Sequence, residues 1–189
     1  MPSLELKYTN STFLHMPKTG GSWIERSLVV SKSSFERIDP DLSCRGGHTG
    51  YYYKAITGFS FSFIRNPFEW YKSLFKYNKI HRRVASWDTE DINKFTGDLI
   101  YSGHSLYNMS KYYFGNNYEV SFIGKYENLV EDFIEALSLA GEPVDKSLIR
   151  NFGTKPINHT SEVTCEDYNI STKNIIFGAD SYIFKRFKY

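Results

Sequence analysis

The chain has 189 residues, 41% of them hydrophobic, with fifteen tyrosines and fifteen phenylalanines, enough large side chains to fill one core of ordinary domain size. Its formal net charge of +2 excludes binding driven by bulk charge, as in non-specific nucleic-acid association, so any anion site must come from local placement of cations. No apolar run approaches the roughly 20 residues that cross a bilayer, and the first ten residues lack a signal-peptide core. The expectation is a cytoplasmic protein with no membrane span and no nucleic-acid partner. Cys44 and Cys165 stand far apart without a C-x-x-C spacing, which predicts two reduced thiols and neither a zinc site nor a disulfide framework. The N-x-S/T sequons at Asn10, Asn108, Asn158 and Asn169 carry little weight in a chain with that destination.

In chain order, residues 11–16 predict a short buried strand, and residues 22–31 a helix. Residues 59–64 (FSFSFI) alternate with period two and predict a second strand. It runs into Arg65-Asn66-Pro67, where Asn66 can cap a helix and Pro67 suits its first position. Tyr71, Leu74, Phe75 and Asn78 follow at helical spacing. Residues 81–119 have weaker periodicity and predict short helices. Residues 120–125 predict a third strand, leading to a helix with Val130, Phe133, Ile134 and Leu137 on one stripe and Gly141 at its end. Residues 171–189 predict a closing helix. Strand followed by helix three times, with no repeat, linker or boundary, predicts one α/β domain over residues 1–189, a central parallel sheet flanked by helices.

The first strand-to-helix turn, Pro17-Lys18-Thr19-Gly20-Gly21-Ser22, reads as an anion cradle. A helix opening after two glycines presents backbone N–H groups and the positive end of its dipole to the loop. Gly20 and Gly21 allow close backbone approach, and Lys18 adds a mobile positive charge. Ser22 and Glu25 have the spacing of a capping box. Arg65 ends the second strand. Its planar fork suits a phosphate, with Ser73 two turns along the next helix, although a pairing with Glu69 is the plainer alternative. In parallel sheets, ligands bind outside the carboxyl ends of the strands, where both turns lie. The nucleoside-triphosphate pattern G-x-x-x-x-G-K-[ST] is absent, since Lys18 precedes its glycines and Gly124-Lys125 is followed by Tyr126; no G-x-G-x-x-G occurs.

These residues resemble a known family. His15-Met16-Pro17-Lys18-Thr19-Gly20-Gly21-Ser22 is similar to the H-I-P-K-T-G-G-T signature of sulfotransferases that use 3′-phosphoadenosine 5′-phosphosulfate (PAPS), in the carbohydrate branch that includes uronyl 2-O-sulfotransferases. Phe63-Ile64-Arg65-Asn66-Pro67 with Ser73 resembles the family's 3′-phosphate site, and Gly47-His48 the glycine–histidine that carries its base. Gly124 to Leu129 with Asp132-Phe133, the Asn158-His159-Thr160 region and Ala179-Asp180…Phe184 echo its later segments. Ser22 stands where threonine is usual, and Met16 where a branched residue is usual.

The resemblance implies a P-loop-like sulfotransferase fold and an enzyme that needs no metal. Pro17, Lys18, Thr19, Gly20, Gly21 and Ser22 would hold the 5′-phosphosulfate, and Arg65 and Ser73 the 3′-phosphate. Lys18 would stabilise the leaving phosphate, and His48 would accept the proton of an acceptor hydroxyl. Histidine is the natural base near neutral pH. His15 is the second candidate, with His81, His104 and His159 behind it. The implied acceptor is a saccharide, for which Tyr51, Tyr52, Tyr53, Trp70 and Trp87 are possible stacking partners or simple packing residues. Tyrosine or a small alcohol are other acceptors, and a non-catalytic nucleotide- or glycan-binding module of the same fold is the rival from a different class.

Overall fold

The computed structural model describes residues 3–38, 56, 58–81, 88–153 and 164–189. The chain is mixed α/β and divides into two compact units, residues 1–64 with 110–158 and residues 65–109 with 159–189. His48, Gly47, the Tyr51–Tyr53 triplet, Trp87, Cys44 and the Asn158 to Thr160 segment lie outside the described residues.

The first unit is built on a five-stranded sheet: β1 (Ser3–Leu6), β2 (Thr12–Phe13), β3 (Phe35–Ile38), β4 (Ser60–Ile64) and β5 (Phe122–Lys125). Its order is β3-β1-β2-β4-β5. The three predicted strands pair in parallel, β2 with β4 and β4 with β5. The sheet is not parallel throughout, because β1 pairs antiparallel with both β2 and β3. β2 is shorter than expected, yet the backbone of Leu14 still donates to Phe61 at 2.9 Å before Pro17, which has no N–H, ends the pairing.

β4 is buried along its whole length, so its alternation does not separate core from solvent. Phe61 and Phe63 pack with Phe13 and Phe133, at centroid distances of 5.3 to 6.5 Å. The small serines between them bond to neighbouring strands, as in Ser62 Oγ donating to the Leu14 carbonyl at 2.6 Å. A serine on a central strand is tolerated because its hydroxyl is satisfied there.

α1 (Gly21–Val30), α5 (Leu129–Ala140) and α6 (Lys146–Phe152) complete this unit. α1 buries Trp23, Ile24 and Leu28, and the Trp23 indole donates to the Gly153 carbonyl at 2.6 Å. α5 buries Leu129, Phe133, Ile134 and Leu137 and ends as predicted at Gly141, whose φ is +75°. A Cβ on Gly124 of β5 would stand 2.5 Å from the Phe63 ring and 2.9 Å from Asp132 Cβ. Gly124→Ala therefore overpacks the sheet; we expect a loss of about 1–3 kcal/mol, read as a lower urea midpoint with an unchanged m-value.

The second unit is helical among its described residues: α2 (Pro67–His81), α3 (Ile92–Tyr101), the start of α4 (Leu106–Phe114), α7 (Ile170–Ala179) and α8 (Ser181–Phe187). Asn66 caps α2 as its position predicts, Oδ1 accepting the Phe68 N–H at 3.0 Å, and Pro67 opens the helix. α2 buries Trp70, Tyr71, Phe75 and Asn78. The single closing helix expected over 171–189 is two helices broken at Asp180. The break follows from where the Asp180 carboxylate goes. Fully buried, it accepts the Tyr107 N–H at 2.7 Å and the Tyr71 O–H at 2.8 Å, while the Leu106 N–H donates to the Tyr71 oxygen at 3.1 Å. No helix among the described residues is long and apolar enough to cross a membrane.

Candidate functional site

The loop Pro17 to Gly20 joins β2 to α1 in the first unit. Met16 is fully buried and Thr19 lies beneath the loop, its Oγ1 donating to the Met16 carbonyl at 2.8 Å. That bond closes the turn from inside and leaves Pro17 and Lys18 half-buried at its crest. Lys18 is left-handed, with φ of +68°. A lysine in that conformation costs on the order of 1–2 kcal/mol relative to its preferred backbone. Such strain persists where the surroundings fix it, commonly at binding loops.

Gly20 is the N-cap of α1, with φ of +94° and ψ of +9°. The Trp23 and Ile24 N–H groups return to its carbonyl at 2.9 and 3.1 Å. A Cβ on Gly20 would also lie 2.7 Å from Leu129 Cδ2, so backbone angle and packing both require glycine. The capping box expected from Ser22 and Glu25 does not form. The cap is two residues earlier, no side chain caps the helix, and its first turn carries no acidic residue. Glu25 instead accepts from Arg37 Nε at 2.7 Å. Ser22 lies inside the first turn of α1, and its hydroxyl does not serve as the cap.

His15 is 6% exposed. Its backbone N–H donates to Ser3 Oγ at 3.1 Å, and its ring lies 5.9 Å from that of Phe13. A Cβ on Gly21 would fall 2.2 Å from His15 Nε2 and Cδ2. A ring so enclosed is poorly placed to reach an acceptor hydroxyl, which a base must approach within about 3 Å.

Arg65 and Ser73 belong to the second unit. Arg65 follows the last residue of β4, and its side chain is 17% exposed. Its guanidinium is 3.9 Å from the Glu69 carboxylate, at the outer limit of an ion pair, and Glu69 itself is largely in solvent. That pairing is the plain alternative weighed above, and at this distance it contributes little. Ser73 is half-buried on α2, two turns beyond Arg65.

The later echo, Gly124 to Leu129 with Asp132-Phe133, has a structural account. The Asp132 carboxylate accepts the Lys125 N–H and the Asn128 amide, both at 2.6 Å, holding the turn Tyr126–Asn128 between β5 and α5. Phe133 is fully buried in the core.

In the second unit, a groove of about 410 Å³ is lined by Glu90, Asp91, Ile92, Thr164, Cys165 and Glu166. Three carboxylates make it unsuited to an anionic nucleotide. Among the described residues no cluster of histidine, cysteine, aspartate and glutamate could hold a metal ion.

Two structural features escaped the sequence reading: the left-handed backbone of Lys18 and the packing of His15 on Gly21. The only sequence signal for the second is the absence of a side chain at position 21, with an aromatic residue two positions beyond a strand. Comparison with protein-family models, curated proteins and solved structures returned no significant match.

Proposed function

We propose that the protein is a PAPS-dependent sulfotransferase of P-loop-like fold, acting on a hydroxyl of a saccharide. The observation that carries the reading is the β2–loop–α1 turn. A strand that pairs in parallel with β4 ends in a cationic loop, and the helix beyond it starts on two glycines with no side-chain cap and no acid in its first turn. Such a terminus favours a phosphate or sulfonate through its backbone N–H groups and dipole. Lys18 at the crest supplies the charge, and its unfavourable backbone is the kind of strain that binding loops hold. Pro17, Thr19, Gly20, Gly21 and Ser22 form the rest of the cradle. Arg65 and Ser73 would take the 3′-phosphate.

In the reaction, the acceptor oxygen attacks sulfur in line, and a new S–O bond forms. The bond from sulfur to the bridging phosphate oxygen breaks, and 3′-phosphoadenosine 5′-phosphate (PAP) leaves with the electron pair. The hydroxyl proton passes to His48, which lies outside the described residues. Lys18 stabilises the charge growing on the leaving phosphate.

The test is transfer of labelled sulfate from PAPS to a panel of polysaccharides, oligosaccharides, peptides and phenols. Label on sugars alone is the expected outcome; label on peptide tyrosines alone moves the acceptor class. PAP bound in calorimetry with no transfer to any acceptor would favour a binding module. Equal affinity for PAP and 5′-AMP would remove the 3′-phosphate role of Arg65 and Ser73.

A further inference from the structure

His15 has no part in the reaction as proposed, yet its side chain packs directly against the start of α1. Its imidazole edge occupies the space where any residue other than glycine at position 21 would place its Cβ, 2.2 Å from the ring atoms. Behind, the ring leans on Phe13 of β2, and the His15 backbone is tied to Ser3, the first residue of β1. The ring is thus a rigid spacer between the end of the strand and the first residue of the helix.

We infer that His15 is a positioning residue: its ring fixes the first turn of α1 relative to the Pro17–Gly20 loop, and so sets the geometry with which that loop holds the 5′-phosphosulfate. This rests on the functional reading above, but the packing it depends on can be tested without any ligand. Ring and missing side chain are complementary, so their substitutions should compensate. Gly21→Ala alone forces a methyl into the ring, and His15→Ala alone leaves a void beneath the helix. Together, the new methyl at position 21 enters the void, and much of the loss of each is recovered.

The experiment combines a double-mutant cycle on His15→Ala and Gly21→Ala with a third variant, His15→Phe, each read by thermal unfolding and by calorimetric titration with PAP. We expect PAP affinity to fall about tenfold or more in His15→Ala and in Gly21→Ala, as donors move from their binding geometry. The double variant should bind more tightly than either single one, and His15→Phe should stay within about threefold of the parent, because a ring of similar shape keeps the spacing. The inference is overturned if the parent binds PAP and His15→Ala binds equally well, which leaves the functional reading intact. A well-folded His15→Phe that loses PAP binding overturns it also, since the ring nitrogens rather than the shape would then matter. A parent that binds neither PAP nor PAPS overturns the functional reading and the positioning role with it; the unfolding cycle still reports, by its coupling, whether ring and glycine are packed as described.

Discussion

Replacing Lys18 by glycine should remove most sulfuryl transfer while leaving the protein as stable as before, or slightly more so. The two effects come from different parts of the same residue. In the proposed reaction the ammonium would stabilise charge that develops on the leaving phosphate, and loss of one such group typically lowers kcat by about 10²–10³-fold. The backbone at φ of +68° is strained for lysine and free for glycine. The melting temperature of Lys18→Gly is therefore expected to be unchanged or raised by up to about 3 °C. Lys18→Ala keeps the strain and should show the same catalytic loss without the gain. The measurement is kcat for sulfate transfer beside a melting curve for both variants. Full turnover in Lys18→Gly would leave the lysine with no role at the site. A drop of several degrees in its melting temperature would show that the side chain holds the loop in place.

The largest effect on stability is expected in the other unit, from Tyr71→Phe. The phenol donates to Asp180 and accepts from the Leu106 N–H. Removing it takes one of the donors from a fully buried carboxylate and strands a backbone N–H. A loss of about 3 kcal/mol is expected at neutral pH, since hydrogen bonds to buried charged groups are worth more than neutral ones.

The loss should depend on pH in a defined direction. Burial pushes the Asp180 carboxyl up to about 6, against the opposing pull of its bonds from Tyr107 and Tyr71. Below the unfolded value of 3.8 both states are protonated, and burial of charge costs nothing. As pH rises from there to about 6 the unfolded chain ionises first, and roughly 3 kcal/mol of stability is withdrawn; above 6 the loss is complete. Tyr71→Phe removes a bond that favours the charged form, so its damage should be larger at pH 7 than at pH 4. Three exposed carboxylates act in the opposite sense. Glu131 is held low by Arg150, Asp145 by Ser147 and Asp167 by Lys72, and what they contribute is lost as pH falls. The comparison of variant with parent cancels these contributions. Urea unfolding at the two pH values, followed by the fluorescence of buried Trp70, which packs 5.0 Å from Tyr71, measures it. An equal loss at both pH values would show that Asp180 does not change its charge in that interval.

Features set by adjacent residues were legible in the sequence. Asn66-Pro67 starts a helix and Gly141 ends one because capping acts within a turn. The FSFSFI run was legible as a strand from its period-two alternation, although both faces of β4 are buried. The central parallel pairing followed from strand–helix alternation. What failed depended on partners far away in the chain. β1 and β3 are four residues each and pair across the edge of the sheet, with no local signal beyond a brief alternation in Leu4 and Leu6. Ser22 and Glu25 had the spacing of a cap, but Gly20 in the left-handed region started the helix earlier and left the serine inside it. At the site, the place of the Lys18 loop between a strand and a helix could be read from residue types alone. Its strained backbone could not, and nor could the ring of His15 against Gly21.

The bond between Tyr71 and Asp180 spans 109 residues, and this has a consequence for biosynthesis. At roughly 5–20 residues per second of elongation, the phenol is made about 5–20 s before its carboxylate. Once Leu106 and Tyr107 have been made, α2 and the start of α4 wait without the group that ties them together. All of the 110–153 segment, which belongs to the other unit, is translated in the meantime. The sheet unit can therefore close first, while the helical one waits, its apolar faces uncovered, for the last two helices. A chain interrupted anywhere between residues 159 and 179 would release the first unit complete and the second without its buried acid. Such a product should be soluble in part and drawn to holdase chaperones through Trp70, Phe75 and Phe95, the large side chains that the finished protein keeps out of water.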